Sequence, residues 1–597
     1  MAIQKPIFML YHIDLAKGST IADWLNVIIH GLKLDLTMAG YLTIIPLLCI
    51  IASVWAPVKY LKKGLKVYFI LAITLVAIMF FIDIALYTFW GFRLDATLIF
   101  YLQFPGGAMV SVPVWLSIRQ ALLSIIYILA AVWLFNRGIM ATFPSEPVKR
   151  RRRIPVTAAL IVFGAFLFLP IRGSVTTSTS NVGMVYFSNR QFLNHSAINP
   201  VFSLATSLFK QLDFASQFQF FSEEKRDTLF RSLFPESAGK AGSAEVKTEL
   251  LNTKRPDILL VILESFSANV VEAVGGEPEV TPCLNRLAEE GVLFTNIYAN
   301  SFRTDRGLVS VLNGYFAQPT TSIMKYPAKS QSLPSLAKSL SGAGYTADML
   351  YGGDINYTNM RSYFFGSGYS RIASDQDFPL SSRLNKWGAN DDITFDYMFH
   401  SLQEKNEGHR FSTFLTISSH EPFKVPYSRL KDPYLNSVAF TDSCVGNFID
   451  RLKETPVWDN LLVVFIADHG YRYPATLTEF EPARYHIPVL WVGGAVKQPA
   501  KIETIASQTD LAATLLSQLD IPYSGYTFSK DILDPKYEVF AFYTFSNGFG
   551  FVDKSGASAY DNDSNRPVME SPQEGGEARS EKGKALLQTL YDDLGNR

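Results

Sequence analysis

Long apolar runs fill the first part of the chain, whereas the rest alternates short apolar runs with polar loops. Four runs each have about the length that a bilayer core requires of a helix: residues 37–56, 67–90, 117–135 and 154–171. Soluble domains do not place four such runs in succession with short connections. The pattern therefore predicts an α-helical transmembrane domain over residues 1–172 with about four spans.

Basic residues are distributed unevenly among the loops of this domain. The loop after the first run holds four lysines and the loop after the third run holds six basic residues, whereas residues 91–116 hold only Arg93. By the positive-inside rule the two basic loops are cytoplasmic. Everything after residue 172 is then extracytoplasmic, on a multi-pass protein of the cell membrane. This places the N-terminus outside, so either a first span is missing before residues 5–11, or residues 1–36 lie along the interface.

Beyond residue 256 the apolar runs shorten and alternate with amphipathic segments. Residues 258–263 and 461–467 are continuous apolar runs, which are typical of strands buried on both faces of a parallel sheet. Repeated helix–strand alternation predicts an α/β domain over residues 257–555, with a mostly parallel sheet sandwiched by helices. Residues 173–256 are expected to form a juxtamembrane segment and linker. Residues 556–597 read as a polar tail, mobile over 556–581, with a terminal helix.

The net charge of the chain limits the kinds of binding partner that we expect. The chain has 54 Lys and Arg against 54 Asp and Glu, a formal net charge of zero. A nucleic-acid-binding surface usually requires a basic excess, so no nucleic-acid partner is expected.

Polar side chains stand where predicted strands end or helices begin. Glu264 follows one buried strand, Asp468 and His469 follow another, and Thr304 opens a short helix. In open α/β sheets ligands bind at the carboxyl ends of strands. Three oxygens and one imidazole nitrogen suit a divalent cation such as Mn²⁺ or Zn²⁺. Each residue alone has a structural explanation, as a loop carboxylate, a helix N-cap or a turn, and only their combination indicates a metal site.

Four segments carry these residues, in the order LESFS (263–267), RTDRG (303–307), SSHEPF (418–423) and IADHG (466–470). Over residues 255–525 they resemble the alkaline phosphatase/sulfatase superfamily, and within it the membrane-anchored lipoteichoic acid synthase and phosphoglycerol transferase group. The resemblance implies a sulfatase-like fold with one divalent metal ion, Mn²⁺ favoured and Zn²⁺ or Mg²⁺ possible. It matches Glu264, Thr304, Asp468 and His469 to the metal ligands. Thr304 also matches the nucleophile that becomes phosphorylated, and His420 matches a substrate-contacting histidine.

The resemblance also implies an activity. It is a metal-dependent transfer of a phospholipid head group, phosphoglycerol-like, through a phospho-threonine intermediate to an envelope glycan or lipid acceptor. Arg306 would either clamp phosphate oxygens or pair with a carboxylate. The donor would be a membrane phospholipid in the leaflet that faces the catalytic domain.

One departure leaves the head group open. Lipoteichoic acid synthases carry a Trp-Asn-Arg-like element after a sheet strand, and residues 351–361 here contain no Trp. Phosphoethanolamine transfer and phosphodiester hydrolysis remain alternatives. Sulfatase chemistry needs Cys or Ser in C/S-x-P-x-R, whereas the position here is Thr304-Asp305-Arg306-Gly307.

Three further residues allow two interpretations each. Asp83, inside the second apolar run, either contacts substrate or bonds a hydroxyl on another helix. His486 is either a residue that supports the metal site or an ordinary residue at the start of a strand. Trp387 either lines the active-site pocket or is a buried residue without a functional role.

Overall fold

A computed structural model covers the chain from Met1 to Arg597. It describes all residues except 92, 96–97, 99–113, 141–147, 174–179, 181, 186, 189, 211–213, 236–247, 356 and 383–386. The chain divides into two compact units, residues 1–212 with 562–565, and residues 213–561 with 566–597. Part of the predicted linker, residues 236–247, lies outside the described residues.

The first unit is built from helices. They are α1 (Gln4–Tyr11), α2 (Ile21–Ser53), α3 (Val58–Trp90), α4 (Val114–Phe135), α5 (Arg153–Ala165), α6 (Phe168–Arg172), α7 (Gln191–Ala197) and α8 (Pro200–Lys210). Among the described residues, four segments are long and apolar enough to cross a membrane: Ile21–Ser53, Val58–Thr88, Trp115–Gly138 and Arg150–Arg172. They overlap the four predicted apolar runs, of which 37–56 and 67–90 extend two or three residues beyond their segments. The first begins well before its apolar part, because Thr20 and Asp23 form a capping box at its N-terminus.

In the part of the chain that the structure describes, Asp83 contacts a cation and a backbone amide, which differs from the hydroxyl bond given as the alternative to a substrate contact. Its carboxylate pairs with the Arg93 guanidinium at 2.8 Å and accepts a 2.8 Å hydrogen bond from the Leu94 amide. A carboxylate that is 1% exposed among apolar side chains needs a full counter-charge, which a hydroxyl does not supply. We therefore assign Asp83 a structural role within the helical unit.

The second unit is built on a mixed, mostly parallel sheet. Its strands are β1 (Asp257–Leu263), β2 (Val292–Tyr298), β3 (Tyr345–Tyr351), β4 (Arg371–Ala373), β5 (His409–Leu415), β6 (Leu461–Ala467), β7 (His486–Val492), β8 (Ala500–Ile502) and β9 (Ala506–Ser507). The order is β4-β3-β5-β1-β6-β7-β2-β8, with β9 beside β2. Strand β7 runs antiparallel to both of its neighbours. Strand β1 is central, and Ile258 to Leu263 are at most 1% exposed, which agrees with a strand covered on both faces.

Helices fill the connections and cover the sheet. They are α9 (Glu223–Leu233), α10 (Pro282–Glu290), α11 (Thr304–Asn313), α12 (Pro327–Gln331), α13 (Leu336–Gly342), α14 (Met360–Gly366), α15 (Asp391–Gln403), α16 (Pro433–Lys453), α17 (Asp510–Gln518) and α18 (Gly576–Asn596). Helices α10 and α15 pack against α16, and α11 packs against α13 and α17. The predicted α/β class is confirmed.

The expected polar tail is folded. Strands β10 (Phe540–Phe545), β11 (Gly548–Asp553), β12 (Gly556–Asp561) and β13 (Arg566–Ser571) form an antiparallel sheet. Helix α18 buries one face, including Leu586, Leu590 and Leu594. The prediction of mobility over 556–581 is wrong because residues 557–561 pair with β11 and are all buried, although most of them are small or polar and carry little hydropathy.

Candidate active site

Strand register brings the two acidic side chains of the site together. Strands β1 and β6 are parallel neighbours, and their last residues, Leu263 and Ala467, pair directly. The next residue on each strand is Glu264 or Asp468, so both carboxylates leave the same edge of the sheet. Both residues are buried, at 3% and 0% exposed.

Four side chains converge at this edge. One oxygen from each of Glu264 and Asp468 and a nitrogen of His469 all lie within 4.8 Å of one another. The Thr304 hydroxyl donates to Glu264 Oε2 at 3.3 Å and lies 3.5 Å from His469 Nε2. The predicted ligand set therefore meets at one point.

Thr304 reaches this point because helix α11 begins there and because the fourth residue of the helix, Gly307, has no side chain. A Cβ on Gly307 would lie 2.0 Å from the carbonyl oxygen of Asp468. Only glycine permits so close an approach between the helix and the end of β6. Thr304 is the first residue of α11, so the helix N-terminus, which favours anions, points into the site.

Ser265 links the two carboxylates. Its amide donates to Asp468 Oδ1 at 2.9 Å, and its hydroxyl donates to Glu264 Oε1 at 2.8 Å. It has a φ of +58°, in the left-handed region that non-glycine residues rarely adopt. The Tyr434 hydroxyl, from α16, donates to the Ser265 carbonyl at 2.8 Å. Sequence reasoning missed both residues, and only the position of Ser265 next to Glu264 offered a signal.

These residues fit a divalent cation. Asp468 Oδ2 is buried and has no hydrogen-bond partner in the described part of the chain, so it has an unused lone pair that faces His469 Nε2 at 3.4 Å. Burial and the neighbouring Asp468 carboxylate raise the pKa of Glu264 to about 8. Two carboxylates placed together in a buried site repel each other, and a shared cation removes that repulsion. The donor set, carboxylates, a hydroxyl and an imidazole, is one that Mn²⁺ and Zn²⁺ accept.

His420 lies beyond β5, the other neighbour of β1. Its Nδ1 donates to the Glu421 carbonyl at 2.7 Å, which leaves Nε2 as the nitrogen with a lone pair. Burial lowers the pKa of His420 and favours this neutral form. The Trp387 ring packs on the imidazole, with the centroids 4.2 Å apart, and Tyr357 packs edge-on against Trp387. The contact of His420 with substrate stays a prediction.

Arg306 and His486 have contacts outside the four-residue cluster. Arg306 is 4% exposed, and Nη1 donates to Ser301 Oγ at 3.4 Å. Its role as a phosphate clamp stays a prediction. His486 Nε2 lies 2.6 Å from the Thr295 carbonyl, and the ring stacks on Tyr298, so this histidine joins β7 to β2.

Comparison with known proteins agrees with this geometry. The Sulfatase family model matches residues 256–521. Over these residues the chain is homologous to the sulfatase/alkaline phosphatase superfamily. It is distantly homologous to lipoteichoic acid synthases, for example 22% identical over 369 residues to the lipoteichoic acid synthase-like protein YvgJ of Bacillus subtilis. That match covers 54% of this chain and 58% of the relative, so a large part of the relative has no counterpart in the match.

Two solved structures show the same fold. An alkaline phosphatase superfamily protein from Vibrio parahaemolyticus superposes with a TM-score of 0.55 at 25% identity, over 64% of this chain and 98% of that one. The lipoteichoic acid synthase LtaP from Listeria monocytogenes superposes with a TM-score of 0.50 at 19% identity, over 63% and 99%. These superpositions support the fold, and the family-model and sequence matches make the domain sulfatase-family and similar, at low identity, to lipoteichoic acid synthases.

Proposed function

We propose that this enzyme transfers a phospholipid head group, phosphoglycerol-like, to an envelope glycan or lipid acceptor through a phospho-threonine intermediate. The observation that carries the proposal is the position of Thr304. Its hydroxyl lies between a carboxylate and an imidazole of a candidate metal site, at the N-terminus of α11. A hydroxyl in that position can be deprotonated and can attack a phosphorus atom.

A divalent ion held by Glu264, Thr304, Asp468 and His469 would lower the pKa of the Thr304 hydroxyl and neutralise phosphate charge. In the first half-reaction Thr304 Oγ bonds to phosphorus, and the bond from phosphorus to the diacylglycerol oxygen breaks. Backbone amides at the start of α11 receive the phosphate oxygens. In the second half-reaction the acceptor hydroxyl displaces Thr304 and releases it as the free alcohol.

His420 is suited to the proton transfers of both steps. In the first half-reaction a neutral imidazole with a free Nε2 can take the Thr304 proton and pass it to the diacylglycerol alkoxide. In the second it can take the proton of the acceptor hydroxyl and pass it to the Thr304 alkoxide. The Nδ1 bond to Glu421 fixes the ring, and Trp387 covers it. These contacts favour one orientation of the catalytic nitrogen.

The four apolar helices support a lipid donor. An enzyme that is anchored by membrane-spanning helices meets its lipid substrate in two dimensions and needs no soluble carrier. The basic loops favour an extracytoplasmic catalytic unit, so the donor would lie in the outward-facing leaflet.

The experiment uses the purified full-length chain with phosphatidylglycerol in detergent, a divalent metal, and an added alcohol acceptor. We expect diacylglycerol release and head-group transfer, detected by mass spectrometry, and loss of both in Thr304→Ala. Thr228→Ala is the matched control, because Thr228 is an exposed threonine on α9 whose hydroxyl donates to the Glu224 carbonyl of its own helix. Release of free glycerol phosphate without any transfer product would instead identify a phosphodiesterase.

A further inference from the structure

Asp391 is a buried acidic residue that the proposed mechanism does not use. It is the first residue of α15 and is 0% exposed. Its hydrogen-bond partners in the described part of the chain are amide and hydroxyl groups and include no cation. Burial raises the pKa of Asp391, whereas hydrogen bonds from Thr441, Ile417 and Ser418 oppose that rise. A carboxylate buried without a counter-charge is costly, and these hydrogen bonds are what compensate it.

Most of these bonds reach the segment that follows β5. Asp391 Oδ1 accepts a hydrogen bond from the Ile417 amide at 2.8 Å, and both carboxylate oxygens lie 3.3 Å from the Ser418 amide nitrogen. The Asp391 amide donates to Ser418 Oγ at 2.9 Å. The Thr441 hydroxyl, which belongs to α16, donates to Asp391 Oδ2 at 2.6 Å. Asp391 therefore joins this segment to two helices.

The same segment holds the backbone of Glu264 at both of its polar groups. The Glu264 amide donates to Thr416 Oγ1 at 2.9 Å, and the Ser419 hydroxyl donates to the Glu264 carbonyl at 2.6 Å. The two residues that bond to the Asp391 carboxylate lie between Thr416 and Ser419 in the chain. A shift of the segment therefore moves a residue of the candidate metal site.

His420 ends this segment. Its amide donates to the Ile417 carbonyl at 3.1 Å, which closes a turn on the residue whose own amide Asp391 accepts. The turn and the bonds to Glu264 are thus parts of one hydrogen-bonded unit. The carboxylate of Asp391 lies at its centre.

We propose that Asp391 is a positioning residue, which sets the place of the His420 imidazole relative to the Glu264 carboxylate. It bonds to neither of these side chains and acts through the segment between them. The inference rests on the proposed function for the reaction that it affects. Its effect on metal binding, through Glu264, does not depend on that function.

Asp391→Asn in the full-length chain tests the proposal, because it keeps the size of the side chain and removes the charge that strengthens its hydrogen bonds. With saturating Mn²⁺ and phosphatidylglycerol, kcat for head-group transfer should fall about tenfold, the difference between a charged and a neutral acceptor. KM should change less than about twofold, since a proton-transfer group is misplaced and no binding surface is removed. The Mn²⁺ affinity should weaken about threefold through Glu264.

A His420→Ala background shows whether Asp391 acts through the histidine. There, Asp391→Asn should lower kcat by less than about twofold, because the effects of two residues that act as a unit are not additive. Thr441→Val is a second variant that keeps the carboxylate and removes only its bond from α16. It should lower kcat about threefold, and it tests the proposal even where Asp391→Asn does not fold.

Asp442→Asn is the matched control. Asp442 is 1% exposed, and its carboxylate also accepts two successive backbone amides, those of Cys283 and Leu284 at 2.9 and 2.8 Å. Those amides begin α10, which carries no residue of the candidate site. Both substitutions should lower the thermal stability, but Asp442→Asn should keep kcat and the Mn²⁺ affinity.

Three results would overturn the proposal: equal losses of kcat in Asp391→Asn and Asp442→Asn, an unchanged kcat in Asp391→Asn, or a full loss that persists in the His420→Ala background. A wild-type enzyme that cleaves phosphatidylglycerol without transfer would refute the transferase function. Weaker Mn²⁺ binding in Asp391→Asn than in Asp442→Asn would support the positioning role in that case as well.

Discussion

The hydroxyl of Tyr434 lies 2.8 Å from the carbonyl oxygen of Ser265, and through this bond helix α16 supports the metal-site loop. Ser265 in turn donates its amide to Asp468 and its hydroxyl to Glu264. The distance between the two carboxylates thus depends on a tyrosine that touches neither of them.

Replacing Tyr434 by Phe should weaken metal binding by about fivefold, because one neutral hydrogen bond contributes about 1 kcal/mol. Ser265 would then be free to leave its left-handed conformation and carry both carboxylates with it. Titration of the full-length chain with Mn²⁺ measures the change. Tyr473→Phe is the control, since it removes a hydroxyl from a neighbouring ring whose centroid is 5.8 Å from that of Tyr434. Equal Mn²⁺ affinity in both variants would show that the Tyr434 hydroxyl does not support the metal site.

Two substitutions at Ser265 should distinguish the cost of its left-handed backbone conformation from the contribution of its hydrogen bond to Glu264. Ser265→Gly and Ser265→Ala both lose the bond to Glu264, but only glycine adopts a φ of +58° without steric cost. The glycine variant should therefore be more stable than the alanine variant by about 1 kcal/mol. Thermal unfolding of the two variants compares them, and a more stable alanine variant would contradict the assigned conformation.

Gly307→Ala should reduce transfer by about a hundredfold or more, because a misplacement of about 1 Å at a reacting atom costs that much. The added Cβ would lie 2.0 Å from the Asp468 carbonyl oxygen and would push α11, with Thr304, away from β6. Gly342→Ala is a fitting control, since Gly342 ends α13 and nothing lies within 4 Å of its added Cβ. Full activity in Gly307→Ala would show that Thr304 need not lie so close to Asp468.

The ion pair between Lys530 and Asp510, near α17, should contribute strongly to the free energy of unfolding of the second unit. Its atoms are 2.5 Å apart and both side chains are at most 3% exposed. Lys530→Met leaves the buried Asp510 carboxylate without its counter-charge and should lower the free energy of unfolding by about 3–5 kcal/mol. Adding Asp510→Asn should recover much of this loss, which denaturation of the single and double variants can measure. A double variant less stable than Lys530→Met would contradict the explanation.

The sequence predicted those parts of the fold that rest on local patterns. Strands β1 and β6 are continuous apolar runs, and the polar residues that follow them lie at one edge because parallel strands end together. Helix α11 was predicted from its apolar periodicity, whereas Thr304 proves to be its first residue and not its N-cap. These same features placed Glu264, Thr304, Asp468 and His469 in one candidate site.

Long-range contacts explain what the sequence could not show. Tyr434 is 169 residues from Ser265, and no local pattern connects them. Strand β12 reads as polar tail because its buried residues include alanines, a serine and an aspartate, and it is held in place by pairing with β11. Arg484 reaches Phe302 only after β7 folds beside β2.

Metal content tests the central claim most directly. Elemental analysis of the purified full-length chain, equilibrated with Mn²⁺ and then dialysed, should find one divalent ion per chain. Glu264→Gln and Asp468→Asn should each lose most of it, whereas the Thr228→Ala control should keep it. A wild-type chain that transfers head groups without bound metal, or an Asp468→Asn variant that retains a full equivalent, would contradict the account.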